Sequence, residues 1–216
     1  MSPLGATPPP GSLELALALA PVSQQAKPEA KLALKEAVRA ITRTAGFLLA
    51  GDVKLSVEWL VSEQARYETD RSPDIDNILK PLVDSFVGPE GLLIDDNQLQ
   101  QVSCSWLDWN SESEQLRIEL TFFPDEWISK QGLVFVQFEN GLCLPIPGAD
   151  TPRERIGWLN AYSNVLAARK HADVAGIPYT WARVLMPKQR VFHRTRIHGF
   201  TVVSEHEFRA SCDGEF

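Results

Sequence analysis

Between Ser72 and Asp96 the sequence SPDIDNILKPLVDSFVGPEGLLIDD sets Asp74, Asp76, Asp84, Asp95 and Asp96 around a lone lysine, Lys80, in a largely apolar run. Carboxylates that converge in a fold repel one another and resist joint ionisation unless a cation sits among them. An oxygen-only donor set with room for water suits Mg²⁺, with Mn²⁺ as a substitute, and such an ion activates a water and stabilises a phosphoryl transition state. The chemistry these residue types point to is phosphodiester hydrolysis. A calcium-binding helix-loop-helix is a poor match, because DIDNIL lacks the glycine and the regular oxygen ligands that its loop requires.

A structural reading competes with the chemical one. Asp74 follows Pro73 and precedes an apolar helical pattern, so it is a good N-cap, and Asp76 and Asn77 then fall in the first turn, where the helix dipole favours acceptors. Asp95 and Asp96 suit a turn ahead of the next strand. Capping leaves Lys80 without a role. On a helix Asp76, Lys80 and Asp84 share one face at four-residue spacing, a ladder in which each ion pair contributes only about 0.3 kcal/mol if it is exposed.

PDIDNILKPLVDSF followed by LIDDNQL resembles the signature of the RusA-type Holliday junction resolvases, in which an Asp-x-Asp-Asn-x-x-Lys-x-x-x-Asp helix precedes an Asp-Asp loop. The match covers Asp74 to Gln98. The resemblance implies a homodimeric, Mg²⁺-dependent endonuclease of DNA recombination and repair that makes paired nicks at four-way DNA junctions. By position it implies Asp74, Asp76, Lys80 and Asp96 as catalytic residues, Asp74, Asp76, Asp95 and Asp96 as metal ligands, and Asn77 and Lys80 as groups that meet the substrate. Asp84 is a recurring motif position. The choice between Asp95 and Asp96 as the principal ligand stays open, and the strand that follows, LQQVSCSWLDW, lacks the lysine often found there.

These residues need a scaffold. Leu13 to Leu19 alternates with period two, Lys27 to Gly51 carries Leu34, Val38, Ile41 and Ala45 at helical spacing, and Val53 to Val61 alternates again. A second helix follows Asp74, with Ile78, Leu82 and Phe86 on one face and Gly88 and Pro89 as its stop. Gln98 to Asp108 and Leu116 to Phe123 read as two further strands. The expected class is α+β, a small mixed sheet packed with helices over residues 12–127, joined to a smaller α/β module over 128–216. Residues 1–11, MSPLGATPPPG, have no periodic apolar face and read as a disordered lead.

The charge is unevenly spread. Met1 to Trp127 holds ten Lys and Arg against twenty Asp and Glu, a balance of minus 10, whereas Ile128 to Phe216 holds eleven against eight, a balance of plus 3. A whole-surface grip on nucleic acid is disfavoured by the net charge of minus 7, but a local basic face is not. Three cysteines without close spacing fit neither a disulfide framework nor a zinc site, and a cytoplasmic protein is expected. LELALALAPVS is short, contains Glu14 and follows no basic segment, so export is disfavoured, and no apolar stretch is long enough to cross a bilayer.

In the second module strands are expected at Leu133 to Phe138, Leu142 to Ile146, Trp181 to Met186, Gln189 to Ile197 and Phe200 to Val203, with a helix from Pro152 to Val174. On a strand through PKQRVFHRTRIHGF, Phe192, Arg194, Arg196 and His198 share a face that can follow a phosphate backbone. Arg190, Arg194 and Arg196 are therefore candidate DNA contacts. Two other functional readings remain: a non-catalytic module that binds branched DNA or a protein, and a nuclease acting on flaps, single strands or RNA in defence or plasmid maintenance.

Overall fold

A computed structural model describes residues 4–70, 72–110, 113–148, 151–185 and 190–213. The chain divides into two compact units, Met1–Trp127 and Ile128–Phe216. Both mix helix with sheet, and the class is α+β.

In the first unit, strand β1 (Ser12–Leu17), helix α1 (Pro28–Thr42), strands β2 (Phe47–Leu49) and β3 (Val53–Val61), helices α2 (Glu63–Glu68) and α3 (Ile75–Phe86), and strands β4 (Leu99–Asp108) and β5 (Gln115–Phe122) follow in order. Four of the strands form one sheet in the order β1-β5-β3-β4. β3 pairs antiparallel with β5 and parallel with β4, and β1 pairs antiparallel with β5. In β1 and β5 buried and exposed residues alternate, which marks a sheet covered on one face. Leu34 and Val38 of α1 and Ile78, Leu82 and Phe86 of α3 join Leu15, Val53, Leu55, Val57, Trp59, Ile118 and Leu120 in a single core.

Three local features depart from the sequence expectation. The lead-in is placed from Leu4 onward: the Leu4 N–H donates to Thr44 Oγ1 at 2.9 Å, the Gly46 N–H donates to the Gly5 carbonyl at 3.0 Å, and Leu4 packs on the core. The first helix stops at Thr42, and the apolar residues after it form β2, buried throughout. Helix α2, whose sequence EQARYE buries no residue fully, is started by Ser62, which accepts from the Ala65 N–H at 3.2 Å.

The second unit carries strand β6 (Trp127–Ser129), which spans the division, then β7 (Val134–Gln137), β8 (Leu142–Ile146), α4 (Pro152–Val174), α5 (Tyr179–Ala182), β9 (Phe192–His193), β10 (Val202–Ser204) and α6 (Glu205–Asp213). Its sheet runs β10-β7-β8-β9. Val136, Leu144, Ile146, Leu159, Tyr162, Phe208 and Cys212 form its core. Among the described residues no helix is long and apolar enough to cross a membrane.

Two expected strands are corrected here. Trp181 to Leu185 is helical, as the end of α5 and a 3-10 turn over Arg183–Leu185. Of the strand expected over Gln189 to Ile197, the described residues from Arg190 onward hold strand only at Phe192 and His193, and Arg194–Arg196 form a 3-10 turn, so the single strand face expected of Phe192, Arg194, Arg196 and His198 does not form. The reason is local: the His193 side chain accepts from the Thr195 N–H, a cap that bends the backbone out of the ladder. Met186 to Gln189 lie outside the described residues.

Candidate active site

Helix α3 starts where the sequence places it. Asp74 occupies the N-cap position, yet its carboxylate makes no capping hydrogen bond, and both Asp74 and Asp76 are exposed. Capping therefore does not account for Asp74. The amphipathic pattern of α3 sinks Ile78, Leu82 and Phe86 into the core and leaves Lys80 and Asp84 on the open side.

A proline inside this helix has a particular consequence. Pro81 has no N–H to give to the carbonyl of Asn77, one turn earlier. The Gln24 N–H, from the segment after β1, donates to that carbonyl instead at 2.8 Å, and Gln25 Nε2 donates to Asn77 Oδ1 at 3.0 Å. Asn77, a substrate contact in the sequence reading, thus ties the first turn of α3 to residues 24 and 25.

The segment after α3 returns the second carboxylate pair. The Phe86 carbonyl accepts from both Leu92 and Leu93, at 2.8 and 3.0 Å, and Leu92, Leu93 and Ile94 are buried. Gly91 is required at this bend, because a Cβ there would overlap the Phe86 carbonyl. The loop is then clamped by Gln98, itself 3% exposed. Its Oε1 accepts from the Ile94 and Asp95 N–H groups at 2.7 and 3.1 Å, and its Nε2 donates to the Leu49 and Gly51 carbonyls at 2.8 and 3.0 Å.

This clamp separates the two neighbouring aspartates. Asp95 is buried, and its Oδ1 accepts from the Asn97 N–H at 3.1 Å in a reciprocal capping box with Gln98. Asp96 turns toward α3, where Lys80 Nζ donates to its Oδ2 at 3.0 Å and to Asp84 Oδ1 at 2.6 Å. The two carboxylates hold the Lys80 ammonium above its ordinary pKa, chiefly through the hydrogen bond to Asp84 and then that to Asp96. The side chains of Lys80 and Asp84 are half exposed and that of Asp96 about a third, so these ion pairs add little to stability and exchange readily for other partners.

The structure therefore joins Lys80 to Asp84 and Asp96, places Asp74 and Asp76 at the start of the same helix, and gives Asp95 a capping role. Among the described residues the Asp74 and Asp76 carboxylates have no hydrogen-bond or ion-pair partner, and they are donors of the oxygen-only kind that Mg²⁺ takes. As placed, no three His, Cys, Asp or Glu side chains among the described residues gather closely enough to hold a metal ion. Arg190, Arg194 and Arg196 belong to the other unit.

Gln98 is not singled out in the sequence reading, although Asp-x-x-Gln has the spacing of a capping box. Arg66 is missed as well. Its Nη1 donates to the Pro73 carbonyl at 3.1 Å, next to Asp74, while its guanidinium lies 5.0 Å from the Trp59 ring centroid and 5.5 Å from that of Trp106. Nothing in the local sequence distinguishes this arginine from a solvated one.

A family model described as Endodeoxyribonuclease RusA matches residues 19–121, a span that contains β3, α3, the Asp95–Asp96 loop and β4. No curated protein matches the chain. Residues 19–121, all within the first unit, are thus similar to the RusA endodeoxyribonuclease family.

Proposed function

We infer that the protein is a Mg²⁺-dependent, structure-selective DNA endonuclease that resolves four-way junctions by paired phosphodiester hydrolysis. The observation that carries this reading is the state of the α3 carboxylates. Asp74 sits at a helix cap without capping, Asp76 is exposed beside it, and Asp96 is returned to Lys80 by a loop that Gln98 clamps. In this reading Asp74 and Asp76 would hold the ion, and Asp96, paired with Lys80 as placed, would join them when it binds. The ion would supply an activated water and charge neutralisation. Lys80 supplies a cation for the phosphate oxygens, and the exposed Asp84 contact is the one it gives up.

A homodimer, which the resemblance to the RusA-type resolvases implies, would supply two such sites for paired cuts. The test is cleavage of a labelled four-way junction, a flap, a linear duplex and an RNA hairpin, each with Mg²⁺ and with chelator. Symmetric, metal-dependent nicks in the junction are expected, and Asp76→Asn should abolish them with the melting temperature unchanged. Undiminished nicking by Asp76→Asn would sink the assignment. Cleavage confined to the flap or the RNA would keep the chemistry and change the substrate.

A further inference from the structure

Helix α2 buries no residue fully, yet its half-buried Arg66 reaches across to the sheet. Trp59 of β3 and Trp106 of β4 are partners in the parallel ladder, so their side chains project from one face of the sheet. The Arg66 guanidinium lies over both rings, 5.0 Å from one centroid and 5.5 Å from the other, and its Nη1 donates to the Pro73 carbonyl at 3.1 Å. Among the described residues Arg66 is in no ion pair. This unit holds ten Lys and Arg against twenty Asp and Glu, so an arginine kept for its charge has carboxylates to pair with. Arg66 is committed instead to two rings and a main-chain oxygen.

That oxygen belongs to the peptide group that joins Pro73 to Asp74. Peptide groups are planar, so holding the oxygen holds the N–Cα bond by which the chain enters Asp74. On the far side of Asp74, its own carbonyl accepts from the Asn77 N–H at 3.1 Å. With both flanking peptide planes held, the Asp74 Cβ has one direction. Its carboxylate, which makes no capping hydrogen bond, is aimed by the main chain alone. A planar guanidinium over two paired rings keeps its place better than a flexible ammonium would, and the rings stand on two strands of the sheet. We propose that Arg66 is a positioning residue for the reaction: it fixes the Pro73 peptide plane and so aims the Asp74 carboxylate, and it touches no substrate. Its part in the reaction rests on the nuclease reading of Asp74; its hold on the turn does not.

Two measurements on the full-length protein test it. The first is amide hydrogen exchange in chelator, with no DNA present. In Arg66→Gln the Asn77 amide, which reports on the turn around Asp74, should exchange at least roughly fivefold faster, in keeping with the loss of one hydrogen bond, while the amides of α1 stay as in the parent. The second is nicking of a four-way junction with Mg²⁺. Arg66→Gln should lower kcat roughly a hundredfold with KM for the junction unchanged, as follows from a misplaced group. Arg66→Lys keeps the charge without the planar stack and should remain at least roughly tenfold below the parent. Arg117→Gln, which removes a guanidinium 5.8 Å from the Trp109 ring centroid in the same unit, should alter neither measurement. Asn77 exchange in Arg66→Gln equal to the parent's would overturn the proposal, and so would faster exchange throughout the unit, which would mark Arg66 as a general stabiliser. A loss carried by KM, restored by Arg66→Lys and with the dependence of log affinity on log salt flattened by about 0.9, would make Arg66 a DNA contact instead. A parent that nicks no junction would end the nuclease reading and with it the catalytic half of the proposal, while the exchange result alone decides whether Arg66 holds the turn.

Discussion

Asp96 faces Lys80 on the open side of α3, while Asp95 is buried in a capping box, and the same truncation at the two positions should act through different physics. Asp95→Ala removes an N-cap acceptor and should destabilise the protein by about 1 kcal/mol, with most of the nicking rate per folded molecule retained. Asp96→Ala removes a partly exposed ion pair and should leave the melting temperature nearly unchanged while nicking falls by about two orders of magnitude or more. Thermal melts and single-turnover nicking on the same preparations separate the two effects. Loss of stability in Asp96→Ala together with full activity would reverse the assignment. The charge state of Lys80 follows from the direction of its shift: its pKa is raised, so its contacts to Asp84 and Asp96 are present below the ordinary lysine value and are lost only as pH rises through the raised one. Lys80 therefore stays cationic through neutral and mildly alkaline solution.

At the scale of elements, the bend that returns Asp96 depends on one side chain. Gln98→Ala would leave two N–H groups and two carbonyls without their partner, and should cost about 3 kcal/mol even with water entering the space. Urea unfolding measures this, and an effect below about 1 kcal/mol would show that the clamp is not what holds the loop. Much of the scaffold is legible in sequence because it rests on periodicity. β1, β3, β5 and α3 follow patterns of period two or 3.6 that their burial reproduces. The site is legible for another reason: Asp74, Asp76, Lys80 and Asp84 lie on one helix or its cap, so their mutual placement is local. What stays illegible is set by contacts distant in the chain or by caps that outweigh propensity. β2 is too short for a period, and α2 has no fully buried residue to announce it. Arg194 and Arg196 alternate like strand residues until His193 caps a turn across them. Helix α6 does have a signal, because Ser204 and Glu207 form a capping box, as Thr151 and Glu154 do for α4. The separate fates of Asp95 and Asp96 depend on Gln98 reaching the carbonyls of Leu49 and Gly51, which no local pattern encodes.

Across the molecule, the acidic unit carries the carboxylates and the basic unit carries the positive balance, with Arg190, Arg194 and Arg196 as proposed DNA contacts. If the second unit supplies the affinity for DNA, a chain ending after Ser129 should bind a four-way junction at least roughly tenfold more weakly at matched salt, with a shallower salt dependence. Its single-turnover rate at saturating protein should change much less. Equal junction affinity in the two forms would refute this division of labour.

The parallel pairing of β3 with β4 has a kinetic meaning as well. The two strands join only after the chain from Ser62 to Gln98 has closed into a loop, and that loop contains every carboxylate of the α3 site. Helix α3 can nucleate from local contacts, but Asp96 meets Lys80 only once this long-range closure has occurred. The candidate site is thus assembled by the same long-range closure that completes the sheet, and the proposed nuclease stays silent until then.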